Sequence, residues 1–545
     1  MSLDRIVADI AVIGGGVGGC AAALAALETG CSVILTEEYR WIGGQLTSQL
    51  VPPDEHGWIE QFGRTAAYQR FRTGVRACYR EQYPLTEPAR RSGHLNPGNG
   101  WVSPLCHEPR VALAVLEAML APYRSNGRLL VLSEYRPVAA ILDGKDQISA
   151  VRLEATRSGG QQEVSARYFL DATELGDLLE LAGAEHVTGQ ESRAQTGEPS
   201  APIEARPENL QAFSWCFAIE HREGENHAGA PPENYDFWRN YQAKLTPPWP
   251  TPWLSWGGLN PRTMAPVQYR FVPHVENPAE MSGLWSYRRI IDRTQFAPGF
   301  FRSDIVAVNW PMIDYLPKSL LDPSTAVRRE AAREAKQLSR AALYWMQMEA
   351  PRPDGGRGWP GLRLRGDVAG TEDGLAMAPY IREARRLRAE YTIVEQDVSA
   401  ALRPGEKLGE RHEDSVGVGC YRIDLHPSCG GDNYLDVASL PFRIPLGALV
   451  PVRLENLLPA AKNIGTTHIT NGCYRLHPVE WNIGESAGAL AAFCLRHDLS
   501  PRAVRRDGDR RRAFQAALRL RGVELAWPEN LELAAGDPHA HVRRS

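Results

Sequence analysis

The sequence has no Cys-x-x-Cys pair, although it contains nine cysteines, at positions 20, 31, 78, 106, 216, 420, 429, 473 and 494. That scatter disfavours a zinc site built on paired thiolates and a redox disulfide of the thioredoxin-reductase kind. Small apolar fillers in a reducing cytoplasm are the expected fate of most of these thiols, and no metal site is expected. Cys420 and Cys429 are close enough in sequence to pair, but spacing alone is poor evidence for it. No uninterrupted apolar run reaches the ~20 residues a membrane span needs. Nothing reads as a signal peptide, because the apolar stretch up to Leu27 is broken by the glycine-rich residues 14–19. The chain also lacks an excess of either charge: 61 Lys and Arg face 65 Asp and Glu, a net charge of −4. A phosphate-backbone surface needs a strong basic excess. The Arg505-Arg506 and Arg510-Arg511-Arg512 clusters are interrupted by Asp507 and Asp509, as on a solvated helix face. Neither nucleic acid nor membrane is an expected partner.

What the sequence does hold is concentrated near its start. In residues 8–38, Ala11-Val12-Ile13 reads as a short buried strand and runs directly into Gly14-Gly15-Gly16-Val17-Gly18-Gly19. An Ala-rich helix to about Thr29 follows, then a strand from Cys31 to Thr36 that closes on Glu37, with Glu38 beside it. Strand, glycines, helix, strand and acid in this register form a dinucleotide fingerprint. Gly14 permits the tight turn, Gly16 lets a pyrophosphate approach the backbone, and Gly19 allows close helix–strand packing. The helix N-terminus offers unpaired N–H groups to the phosphates. The acid can accept hydrogen bonds from a ribose hydroxyl.

Directly after the acid comes Tyr39-Arg40-Trp41-Ile42-Gly43-Gly44-Gln45-Leu46-Thr47. A Gly-Gly doublet at this distance resembles flavoproteins of the glutathione-reductase-type FAD fold, so FAD is the expected dinucleotide. The resemblance implies that Gly43, Gly44, Gln45 and Thr47 pass the cofactor a second time. It implies backbone contact to adenine near Val138, and chain lying over the cofactor at Ala172, Thr173 and Asp177, after the strand YFLDAT. It also implies a last strand over 455–461, and then a small-residue helix over 479–495, carrying Gly484 and Ser486, whose N-terminus faces the flavin. Lys462-Asn463 stands where the fold commonly has Gly-Asp, which leaves Asn463 as the residue to hold a ribityl hydroxyl.

Further stretches, Trp41 to Gln49, Pro52-Pro53-Asp54-Glu55-His56, Val308-Asn309-Trp310-Pro311, Pro379 to Arg386 and His426-Pro427-Ser428, extend the likeness. Over residues 8–495 the chain resembles the bacterial FAD-dependent oxidoreductases, whose flavin domain is related to that of the tRNA-modifying GidA proteins. The expected architecture is α/β. A Rossmann-like FAD-binding domain has a parallel sheet plus a three-stranded β-meander and carries an inserted α+β substrate or cap domain. FAD-binding parts are placed at 1–50, 105–187 and 415–500, with an excursion at 51–104, the insertion at 188–414 and a charged, peripheral tail at 501–545. Within these, helices are expected over 59–83, 324–348 and 380–388, a strand over 284–288, and loop over 462–477. Asp54 and Glu55 read as exposed turn carboxylates. The insertion is rich in tryptophan, between Trp238 and Trp256 especially, which suits core packing or an aromatic or sugar ligand.

If FAD takes a hydride, the protein must position a substrate C–H and manage one proton, and histidine is the default base. His56, His468 and His477 lie on segments expected near the flavin, with His107 as a fourth; a hydrogen-bonded structural histidine is the competing reading of each. Arg382 and Arg385, three apart on the expected helix, either bind a substrate carboxylate or phosphate or pair with Glu383 or Glu390. The expected function is oxidation, by a dehydrogenase or oxidase, of a carbon bearing OH or NH in a small molecule. A flavin monooxygenase is the rival enzyme, but Gly417-Val418-Gly419 is not followed by the helical run a second nucleotide site would need. The rival from another class is a binding module with structural FAD and a Trp-rich carbohydrate or partner site. Oligomeric state stays open, a homodimer included.

Overall fold

Strand β1, Arg5–Ile13, and strand β2, Val33–Glu37, bury every side chain over 10–13 and 33–37, the mark of strands covered on both faces. The computed structural model describes residues 5–275 and 283–528. Between β1 and β2 runs helix α1, Val17–Glu28, buried at every position from Val17 to Leu27. β3, Leu129–Ser133, extends the parallel sheet beyond β2, and β6, Gln161–Asp171, lies on the other side of β1. Two further strands, β4, Tyr135–Asp143, and β5, Gln147–Ala155, join β6 as an antiparallel meander, so the order is β3-β2-β1-β6-β5-β4. The first half of β6 pairs with β5, while its last residues pair in parallel with the strand Leu457–Pro459. This is the expected parallel sheet with its three-stranded meander. The expected separate strand YFLDAT is the end of one longer strand.

The closing helix, His477–His497, is buried at every residue from His477 to Ala492, Glu480, Asn482 and Glu485 included. It lies along α1 with backbones almost touching. A Cβ on Gly484 would stand 2.0 Å from the Gly18 carbonyl oxygen, and one on Gly488 would stand 2.2 Å from that of Ala22. Gly18 in turn lies against the Ala460 carbonyl, where a Cβ would approach to 1.8 Å.

The segment 188–414 contains a four-stranded antiparallel sheet, ordered Arg289–Ile291, Ile305–Val308, Phe217–His221, Leu362–Leu364. It also has the helix Thr325–Met348, capped by Ser324. Trp238, Trp253, Trp285 and Trp310 are fully buried, and Trp256 packs edge-on against Trp345 at 4.7 Å, so these indoles form core.

Local expectations fail in identifiable places. Residues 380–388 are extended, not helical: Tyr380 pairs with Ser214 and Arg386–Leu387 with His186–Val187, so long-range backbone pairing overrides propensity. Residues 284–288 hold a helical turn, Leu284–Tyr287, in place of a strand. The helix expected from 59 starts at Ala66, where the Thr65 hydroxyl accepts from Tyr68 N–H. Within the expected loop 462–477 sits the helix His468–Tyr474, capped reciprocally by Thr467 and Thr470. The described part of the tail is not peripheral, since Phe514, Leu518, Val523 and Trp527 are buried; its remainder lies outside the described residues.

Replacing Gly484 with alanine should force α1 and the closing helix apart, at a cost of at least about 1–3 kcal/mol. The melting temperature should fall and FAD uptake with it. Gly93→Ala, where a Cβ meets nothing within 4 Å, should be silent in the same melt.

Candidate active site

The first glycine loop and the acid of β2 are bound to each other. Gly14 has φ +104°, and a Cβ there would stand 2.3 Å from the Ala172 carbonyl oxygen. Gly19 sits directly beneath it, where a Cβ would meet the Gly14 carbonyl at 2.0 Å. The Glu37 carboxylate accepts from Gly15 N–H at 3.1 Å and Tyr39 N–H at 2.9 Å. Burial pushes its pKa up to about 8 against those two bonds. A cavity of about 230 Å³ opens here, lined by Gly14, Gly16, Glu37, Glu38, Tyr135, Pro137, Ala172, Thr173 and Asp177 among others. Val138 is next to this wall, where the β4–β5 register shifts between Pro137 and Ala139.

The second glycine loop crosses the first. Gly43, at φ +106°, donates its N–H to the Gly15 carbonyl at 2.7 Å, and a Cβ on Gly44 would stand 2.9 Å from Gly16 Cα. Gln45 is buried with its amide N–H groups on the Arg475 carbonyl at 2.9 Å and on Glu480, while its Oε1 has no partner among the described residues. Thr47 Oγ1 donates to the Ile42 carbonyl at 2.6 Å. Asn463 is spent on the scaffold: its amide donates to the Asp171 carbonyl at 3.1 Å and its Oδ1 accepts from Ala461 N–H. Gly484 and Ser486 also serve packing, Gly484 against Gly18 and Ser486 by a 2.8 Å bond to the Val416 carbonyl. The closing helix begins at His477, two turns before them.

Two glycine loops crossing at the start of α1, beside an acid that ends β2, are a cradle that any side chain at Gly14, Gly16 or Gly44 would fill. The family model described as FAD dependent oxidoreductase matches residues 9–518. The chain belongs to that family. Its cofactor is FAD, and the glycine cradle, the cavity beside it and the unpartnered Gln45 Oε1 fit a long polar dinucleotide. No curated protein is matched. Among solved structures, a geranylgeranyl bacteriochlorophyll reductase-like protein from Thermoplasma acidophilum is 9% identical, with 95% of this chain and 85% of that one covered and a TM-score of 0.31. The L-proline dehydrogenase from P.horikoshii is 16% identical at 35% and 25% coverage, TM-score 0.19. The flavin-dependent monooxygenase PieE is 14% identical at 40% and 36%, TM-score 0.24. The match thus spans a quarter of the dehydrogenase and about a third of the monooxygenase, and likenesses this weak carry no argument about reaction. Among the described residues no helix is long and apolar enough to cross a membrane.

At the N-terminal end of the closing helix, this family member buries a network of charged groups. Asp54 and Glu55, expected to be exposed, are buried because each has an arginine: Asp54 Oδ1 meets Arg288 at 3.1 Å and Glu55 meets Arg72 at 2.9 Å. Arg475 donates to the Tyr380 hydroxyl at 2.8 Å and to the Asp424 carbonyl at 3.1 Å. Arg382 pairs with Asp314 at 2.9 Å and lies over the Tyr380 ring, with its guanidinium 4.9 Å from the centroid. Neither Glu383 nor Glu390 is its partner. Arg385 points elsewhere, to Asp177 and Glu180. Asp314 also holds His426, with Nδ1 2.6 Å from Oδ2. His426 lines a second cavity, of about 270 Å³, together with His468, Ser428, Asp432 and Tyr434.

The histidines differ by tautomer. His477 Nδ1 accepts from Asp54 N–H at 3.1 Å, so its proton is on Nε2. Burial beside Arg288 lowers its pKa to about 3, and such an imidazole is a donor rather than a base. His56 is held by the Gly63 carbonyl at 3.1 Å and packs edge-on against Trp527 at 5.3 Å, a structural setting. His468 Nδ1 faces Glu383 at 2.9 Å, and its Nε2 is 3.4 Å from the Gln190 amide nitrogen. His426, with its proton fixed on Nδ1 by Asp314, keeps the Nε2 lone pair. Burial and Arg382 lower its pKa against the pull of Asp314, so it is neutral near pH 7. Sequence reading noted His426-Pro427-Ser428 but gave it no role, and it passed over Arg288, Asp314 and Arg475 altogether. Their partners lie far away in sequence, and only the pairing marks them.

His107 is buried with its pKa lowered to about 4 by burial. An unfolded imidazole binds its proton near pH 6.5, so between these values the unfolded state carries more protons and stability falls as pH falls. The His107 contribution to that loss is about 3 kcal/mol between pH 7 and pH 4. In a thermal melt over this range His107→Gln should show a shallower decline than the parent; parallel declines would refute the assignment.

Proposed function

We propose that this flavoprotein is a dehydrogenase or oxidase that takes a hydride from a carbon bearing OH or NH in a small polar molecule. The carrying observation is His426 on the wall of the 270 Å³ cavity, with its Nδ1 bonded to Asp314 and the imidazole lone pair on Nε2. Bound FAD supplies the hydride acceptor. Gly14, Gly16 and the α1 N-terminus would hold its diphosphate, and Glu37 and Glu38 its ribose. Ala172, Thr173 and Asp177 would lie along it, with Val138 near the adenine and Asn463 bracing the strand end beneath. Gly43, Gly44, Gln45, Thr47 and the start of the closing helix would hold the flavin end.

The protein's own chemical task is the proton. His426 Nε2 receives it from the substrate OH or NH, and Asp314 stabilises the imidazolium that results while fixing the ring. Arg382 binds the other Asp314 oxygen, which keeps that carboxylate ionised; the pKa of Asp314 is held below its usual value because Arg382 and His426 outweigh burial. Arg382 thus positions the base rather than binding a substrate anion. His468, on the same wall and held by Glu383, orients substrate. His477, a neutral donor at the head of the closing helix, supplies a hydrogen bond.

His426→Gln should lower kcat by about 10²–10⁴ with FAD content and melting temperature unchanged. Because the His426 pKa is lowered, the acid limb of kcat/KM should fall below pH 6.5, with a plateau above it. Screening alcohols, hydroxy acids and amines for bleaching of the flavin absorbance checks the reaction class. Bleaching by none of these, or full activity in His426→Gln, would sink the proposal.

A further inference from the structure

Glu174 occupies the place a diphosphate would take. A Cβ on Gly16 would stand 2.8 Å from Glu174 Oε1, and so would a Cβ on Gly44. That oxygen therefore rests on both glycine loops, at the N-terminus of α1, and has no hydrogen-bond partner among the described residues. The other oxygen, Oε2, is paired with the Lys462 ammonium. A second carboxylate stands behind: Glu480 is fully buried in the first turn of the closing helix, and its unpartnered Oε1 is 3.8 Å from the Gly16 Cβ position. The Lys462 ammonium is paired with Glu174, and burial raises the pKa of Glu480 to about 7, so Glu174 is the carboxylate a phosphate would meet at this position.

From this we infer that Glu174 and the FAD diphosphate compete for one position, and that Lys462 is the counter-ion each takes in turn. Two phosphate charges cannot share a poorly hydrated cradle with the Glu174 carboxylate resting on the same two glycine loops, since like charges a few ångströms apart repel strongly there. One group has to leave. Lys462 has no exposed side-chain surface, and Glu480 is anchored by Gln45, whereas the Glu174 side chain is 22% exposed and lines the 230 Å³ cavity. Glu174 is the one with a way out. When it swings into the cavity mouth it releases Lys462, which stays and meets the diphosphate. A lysine at this point gives the site the fixed cation that the glycine loops lack, and Glu174 keeps that cation paired when no phosphate is there. The inference rests on the FAD assignment and concerns only how the diphosphate is held.

Calorimetric titration of FAD, ADP and adenosine into protein stripped of its flavin tests it. Glu174→Gln removes the competing charge and should tighten FAD and ADP by about tenfold, leaving adenosine unchanged. Lys462→Met should weaken FAD and ADP by at least about tenfold and flatten their salt dependence, again sparing adenosine. Should Lys462→Met not fold, as judged by its melt, Glu174→Gln decides alone, because Glu174 is partly exposed. FAD or ADP binding that is unchanged or weaker in Glu174→Gln would overturn the inference. Failure of the parent chain to bind FAD at all would instead defeat the cofactor fit.

Discussion

The contact on which the rest depends is that between two helix backbones with no side chain between them. Gly18 and Ala22 of α1 meet Gly484 and Gly488 of the closing helix. The pairs advance together along both chains, so the helices run parallel and their N-termini face the same end of the sheet. The closing helix begins seven residues before its first contact and α1 one residue before, so it extends about 9 Å further at 1.5 Å per residue. Two positive helix ends are thereby set in steps along one line, the nearer at the glycine cradle and the farther beside Asp54, Arg288 and His477. A side chain at Gly18, Gly484 or Gly488 would destroy the spacing as well as the packing.

Beyond that farther end the protein spends stability on buried charge. Arg288, Arg382 and Arg475 are buried, and each is answered by an aspartate from a distant part of the chain: Asp54, Asp314 and Asp424. Desolvating such pairs costs nearly what their attraction returns, and leaving one partner unmatched costs several kcal/mol. Apolar residues of the same volume would serve stability as well. What the pairs fix is position, since Asp314 aims an imidazole while Arg382 aims Asp314, and the stacked Tyr380 ring limits how Arg382 can move.

The cofactor end was legible because its signals are local. Five features of the fingerprint lie within residues 8–38, and each follows from a steric or hydrogen-bonding need that neighbouring residues express. The β-meander was expected from the resemblance, and Tyr135–Asp143, Gln147–Ala155 and Gln161–Asp171 form it. The network of buried ion pairs was not legible. His426 and Asp314 are 112 residues apart, Arg288 and Asp54 are 234 apart, and neither pair leaves a spacing that reading could detect. His56, His468 and His477 are candidates by segment, after the glycine doublet or before the last helix, but what separates His426 from His477 is which ring nitrogen is already bonded, and that is set by residues on other elements.

The misread segment at 380–388 shows how much can turn on one local assignment. On a helix, Arg382 and Arg385 would share a face and could grip one anion together. In the extended chain that forms here, residues three apart project to opposite sides. Arg382 turns to Asp314 and the imidazole it holds, while Arg385 turns to Asp177 and Glu180 at the nucleotide cavity. Helical propensity in a Glu/Arg-rich stretch is worth a few tenths of a kcal/mol per residue, and pairing with Ser214 and with His186–Val187 outweighs it. The segment thus links the two cavities: Arg385 bonds Asp177 on the nucleotide cavity, and Arg382 bonds Asp314, the partner of His426 on the second.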